Sequence, residues 1–79
     1  MIEYYKEGGE LDMFRQPVSS SRVSSVGWEN NTLQVEFKNG AVYNYYNVSK
    51  SEYINFMNSS SLGHSISEID KTHRYERIF

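Results

Sequence analysis

Leu33-Gln34-Val35-Glu36-Phe37-Lys38-Asn39-Gly40-Ala41-Val42-Tyr43-Asn44-Tyr45-Tyr46 is the stretch that decides the fold. Apolar residues alternate with polar ones through Leu33, Val35 and Phe37, an Asn39-Gly40 pair follows, and Tyr43, Tyr45 and Tyr46 form an aromatic run. Period-two alternation on both sides of Asn-Gly is a strong hairpin signal. Two registers compete. A two-residue loop at Asn39-Gly40 pairs Phe37 with Val42 and turns Asn44 and Tyr46 onto the Val35 face. A three-residue loop, Lys38-Asn39-Gly40, pairs Phe37 with Ala41, Val35 with Tyr43 and Leu33 with Tyr45. A slip of one residue sends every side chain to the opposite face, so the register that collects the apolar residues wins. The three-residue loop does so, with a bulge at a left-handed Gly40 that only glycine accepts without strain. It leaves Gln34, Glu36 and Asn44 on the other face, where Val42 and Tyr46 need a cover that a partner could supply.

The neighbouring segments extend this hairpin. Val23, Val26 and Trp28 predict a preceding strand, with Gly27 marking a bulge or a close approach, and Glu29-Asn30-Asn31-Thr32 has the composition of a turn. Downstream, Ser49-Lys50-Ser51-Glu52 is a capping box, with Val48 and Tyr53 placed as its hydrophobic staple. It predicts a helix from Lys50 to Asn58 that packs through Tyr53, Ile54, Phe56 and Met57 and ends at Ser59-Ser60-Ser61. A shorter helix over Leu62 to Asp70 aligns Leu62, Ile66 and Ile69 on one stripe. His73 to Phe79 is expected to be extended, with Tyr75 and Ile78 folding back onto the sheet. Residues 1–17 read as an arm broken by Gly8-Gly9 and closed by Pro17, with a helical turn over Glu10 to Arg15 presenting Leu11 and Phe14. The expected architecture is α+β: an antiparallel sheet of three to four strands, a meander with its hairpin at 33–46, packed on one main helix plus a short second helix. Residues 18–79 form the domain.

With 79 residues, 38% of them hydrophobic and 23% charged, this is one small globular domain. Aromatics reach 15% and add buried area that a small core needs. The absence of cysteine excludes disulfides and thiolate metal sites. No apolar run approaches a membrane span and the start does not read as a secretion signal, so a cytoplasmic protein is expected. Four acidic residues against Lys6 give residues 1–14 a charge of -3, which leaves +1 for the rest of a chain of net charge -2. A duplex-binding protein ordinarily carries a marked basic excess, and this chain does not.

The residues from Val18 to Ile78 resemble the KTSC domain family, short domains found alone in bacteria and phages and at the C-terminus of some lysyl-tRNA synthetases. The resemblance is carried by Val18-Ser19-Ser20-Ser21, by Val26-Gly27-Trp28, by Leu33, Val35, Phe37 and Gly40, and by the central Tyr-x-Tyr at Tyr43-Asn44-Tyr45 followed by Val48. Ser61-x-Gly63, Ile69, Tyr75 and Arg77-Ile78 then follow in order. The chain departs in two ways: Ser49 stands where a proline commonly follows the valine, and Glu68 and Asp70 interrupt a segment that is usually basic. The resemblance implies a small α+β fold and a role in binding RNA.

The candidate ligand-binding residues are aromatic and basic. Tyr43 and Tyr45 are open to two roles, as core rings packed on Leu33 and Val35 or as platforms for base stacking, each stack contributing about 1–3 kcal/mol. Tyr46 is the stronger stacking candidate because it falls on the outer face, and Trp28 is a further one. Lys71, Arg74 and Arg77 could contact phosphates, arginine through a bidentate fork, although Glu68, Asp70 and Glu76 lie among them and could neutralise them. His64 and His73 with Glu68 or Asp70 match no zinc spacing. No nucleophile elbow, phosphate-cradling glycine loop or H-E-x-x-H is present. The chain therefore reads as a non-enzymatic binding module without cofactor or metal. Its expected ligand is single-stranded RNA or a nucleotide. The competing reading is a protein-interaction or inhibitor protein acting through an aromatic surface and the acidic arm. A homo-oligomer fits either.

Overall fold

A computed structural model of the chain describes residues 13–79. Five antiparallel strands stand side by side in sequence order: β1 (Gln16–Pro17), β2 (Val23–Glu29), β3 (Thr32–Phe37), β4 (Val42–Tyr46) and β5 (Tyr75–Arg77). Helices α1 (Lys50–Met57) and α2 (Leu62–Thr72) lie between β4 and β5 in the chain. The hairpin adopts the three-residue loop. Val35 pairs with Tyr43 and Leu33 with Tyr45, the Phe37 N–H donates to the Ala41 carbonyl at 2.8 Å, and Gly40 is left-handed with φ 94°. The β2–β3 turn uses Asn30 and Asn31, both at positive φ (51° and 61°), as a two-residue hairpin loop of matching twist requires.

The sheet has five strands rather than three or four. β5 is the return of the C-terminal segment onto β4, where Tyr45 faces Tyr75 and Tyr43 faces Arg77. β1 was not expected: two residues including a proline carry no alternation signal. Pro17 is tolerated because β1 is an edge strand whose missing N–H costs no interior bond; it pairs with Ser25. Residues 13–15 form no helix, while Leu11 and the acidic residues Glu3, Glu7, Glu10 and Asp12 lie outside the described residues.

The helices also differ from expectation in rank. α2, at 11 residues, is longer than α1 at 8. The capping box at Ser49 forms in both directions, Glu52 N–H to Ser49 Oγ at 3.1 Å and Ser49 N–H to Glu52 Oε1 at 3.4 Å. Phe56 is buried, whereas Ile54, expected to pack, is 46% exposed. Leu62, Ile66 and Ile69 of α2 are all buried as one stripe. These side chains close over Val23, Val26, Leu33, Val35, Tyr45 and Val48 to make the core. Burying each of its large apolar side chains stabilises the fold by about 1.5–3 kcal/mol.

The opposite face of the sheet is covered in part by the chain itself. Gly27 lets the Phe14 carbonyl and the Met13 side chain press against β2, a place where any Cβ would collide. Arg15 donates to Ser25 Oγ at 3.0 Å and to Gln34 Oε1, Ser25 donates to Glu36 at 2.7 Å, and Gln34 donates to Asn44 at 3.0 Å. Gln34 and Asn44, at 0% and 2% exposure, are thus buried amides with partners, as buried polar groups must be. Among the described residues no helix is long and apolar enough to cross a membrane.

Candidate functional site

The alternation of β4 and the short β5 places a row of aromatic rings at the open edge of the helix-bearing face. Tyr43, Tyr45 and Tyr75 share that face because they pair across β3, β4 and β5 in register. The Tyr43 and Tyr45 rings stack at 6.2 Å, Tyr75 tilts against them at 5.8 and 5.5 Å, and Phe37 meets Tyr43 edge-on at 5.6 Å. Tyr45 is 1% exposed, but Tyr75 is 49% exposed, so the row runs from core to solvent. Burial pushes the Tyr45 hydroxyl above its usual phenol range, reinforced by its bond to Asp70. It stays protonated and donates to Asp70 Oδ1 at 2.8 Å.

These rings floor a cavity of about 450 Å³, within the range of small-ligand clefts. One wall is Asp70 of α2; the other is Arg22 with the hairpin loop at Lys38 and Asn39, and Arg77 closes the β5 side. Arg22 is held in place. Its guanidinium donates to the Gly63 carbonyl at 2.8 Å and to Ser67 Oγ at 2.9 Å, and lies over the Phe37 ring at 5.9 Å. The Lys38 N–H donates to the Arg22 carbonyl at 2.9 Å, which brings these two distant residues to one rim. Arg77 donates Nε to the main-chain oxygen of Phe79 at 3.1 Å. Among the described residues none of these three cations has a side-chain carboxylate partner. Among the described residues three positive groups face one carboxylate over an aromatic floor, a local positive excess of the kind that favours anions.

The expected site residues separate into four places. Tyr43, Tyr45 and Arg77 line the cleft. Tyr46 is on the other face, half-buried, with its hydroxyl donating to Glu76 at 2.8 Å and the Arg74 guanidinium 5.9 Å from its ring centroid. Trp28 stacks on Tyr53 of α1 at 5.8 Å and donates its indole N–H to the Val48 carbonyl at 2.8 Å. Lys71 sits on α2 against Glu68 at 3.7 Å. Sequence reasoning missed Arg22, Lys38 and Asp70 as site residues and used Tyr75 only as a sheet residue. Extending the Val23–Phe37 pairing by one step would have brought Arg22 to Lys38. No local signal points to Asp70, whose place depends on how α2 lies over the sheet.

At the end of α2, His73 bridges three elements. Its Nδ1 lies 2.8 Å from the Tyr46 carbonyl and its Nε2 2.7 Å from Glu52 Oε2. Both neighbours are acceptors, so only the doubly protonated ring satisfies both. Partial burial opposes the charge, but Glu52 and the Tyr46 carbonyl outweigh it and raise the His73 pKa. No group of three or more His, Cys, Asp or Glu among the described residues is placed to hold a metal ion.

The KTSC domain model matches residues 19–75. Among solved structures, a KTSC domain protein from Yersinia pestis is 35% identical, with a TM-score of 0.76, over 85% of this chain and 99% of that one. No curated protein matches.

Proposed function

The chain belongs to the KTSC domain family, and on that premise we propose that it is a non-enzymatic module that binds single-stranded RNA or a nucleotide in the aromatic cleft at the β4–β5 edge. One observation carries this reading: exposed Tyr75 and half-buried Tyr43 lie beneath Arg22, Lys38 and Arg77, cations that no carboxylate side chain of the described residues neutralises. A stacked base uses the rings, and a phosphate uses the cations. Tyr43, Tyr75 and Phe37 supply the apolar platform, and Arg77, Arg22 and Lys38 the charge. Lys71 pairs with Glu68 at 3.7 Å and is not among the residues that line the cleft. Trp28, closed under α1, serves the core.

The test is fluorescence anisotropy of labelled short single-stranded RNA, titrated at low and at physiological salt. Saturable binding is expected. It should weaken with salt, and Arg77→Ala should reduce the salt slope by about 1 while weakening all sequences alike. Absence of binding at low salt, where the electrostatic term is largest, sinks the reading. Binding indifferent to both salt and Arg77 would instead mark the aromatic edge as a protein contact.

A further inference from the structure

We propose that the cleft selects guanine, and that the Asp70 carboxylate reads its Watson–Crick edge; this deepens the RNA or nucleotide reading and rests on it. Asp70 is the single acidic side chain among the described residues that line the cleft. In a site for phosphate, a carboxylate repels the ligand unless it meets hydrogen-bond donors. No basic side chain of the described residues pairs with it, so its charge is not used up by an ion pair. Its orientation is held from below: Tyr45, buried in the core and protonated, donates to Oδ1 at 2.8 Å. A carboxylate accepts about four hydrogen bonds, and this one spends a single position on Tyr45.

The donor patterns of the bases then decide. Guanine presents two adjacent donors, N1–H and N2–H, which match the two oxygens of a carboxylate. Adenine and cytosine each present one amino donor beside a ring nitrogen acceptor, which a carboxylate repels. Uracil offers one N–H between two carbonyl oxygens. A base that stacks on Tyr75 and Tyr43, which line the same cleft as Asp70, is thereby sorted by its edge, as single-stranded RNA readers commonly sort unstacked bases.

The experiment uses labelled RNA oligomers in which one variable base (guanine, hypoxanthine, adenine, cytosine or uracil) is flanked by uridines. The guanine oligomer should bind about tenfold tighter than the adenine and cytosine ones. Hypoxanthine, which lacks the N2 amino group, should lose most of that advantage on the unaltered protein, so this arm depends on no variant folding. Asp70→Asn keeps an acceptor for Tyr45 but points an amide donor at the guanine donors, and should bring all five oligomers to nearly equal affinity. Equal binding of all five by the unaltered protein overturns the assignment while leaving the RNA reading intact. A guanine preference that survives both hypoxanthine and Asp70→Asn overturns it as well. If no oligomer binds, both readings fall together.

Discussion

Trp28–Tyr53 and Tyr43–Tyr75 are two aromatic pairs on one face of one sheet, with opposite fates. Trp28 and Tyr53 stack nearly parallel, 16° apart, because α1 brings Tyr53 down onto β2. The Val48 carbonyl then takes the indole N–H, leaving no polar atom of that ring for a ligand. Tyr43 is left half-buried and Tyr75 exposed, with α2 meeting their cleft at Asp70. Tyr75 lies on β5, exposed at all three residues, Tyr43 lies on the neighbouring β4, and their rings meet at 54°. Both pairs are aromatic; what separates the covered pair from the open one is the ring that α1 lays over β2.

Trp28→Ala should destabilise the fold by about 3 kcal/mol in denaturant unfolding, because a large stacked ring and a satisfied N–H are lost together. Tyr75→Ala should cost about 1 kcal/mol of stability and yet lower RNA affinity about tenfold. If instead Tyr75→Ala unfolds the protein while leaving RNA binding intact, the division between the two pairs is wrong.

The opposite face supplies the next contrast. Gly27→Ala forces a Cβ against the Phe14 carbonyl and the Met13 side chain, and should cost about 1–3 kcal/mol without changing RNA affinity, since this face is remote from the cleft. An unchanged unfolding midpoint would mean that residues 13–15 do not press on the sheet.

The smallest effect is a matter of pH. Because the His73 pKa is raised on folding, its pairing with Glu52 stabilises the protein fully below the unfolded histidine value of about 6.5 and is lost as pH rises through the folded value. His73→Gln should therefore lower Tm at about pH 5 and change it little at about pH 9. Equal Tm losses at both would assign His73 a packing role only.

Local chemistry made much of the fold legible. Alternation with a glycine at position 40 identified the hairpin and its register, and Ser49 with Glu52 identified the start of α1. The stripe at Leu62, Ile66 and Ile69 identified α2. Each of these signals acts over a few residues, through backbone sterics, a side chain capping its own helix, or periodicity. β1 escaped because two residues with a proline have no period. Ile54 was misplaced because a helix of 8 residues has room for fewer buried positions than it has apolar residues.

The candidate site was legible only in part. Tyr43, Tyr45 and Arg77 were singled out, but with Tyr46, Arg74, Lys71 and Trp28, which the folded sheet distributes elsewhere. By itself the sequence determined which faces the strand residues occupy, since period-two geometry follows from the backbone alone. It also determined the helix start and the buried stripe of α2. Only the tertiary structure decided which aromatic rings are covered, which cations have no side-chain carboxylate partner among the described residues, and that Asp70 and Tyr45 meet across 25 positions. Those outcomes depend on where two helices settle on a sheet, a packing result of the whole chain that no short window of residues encodes.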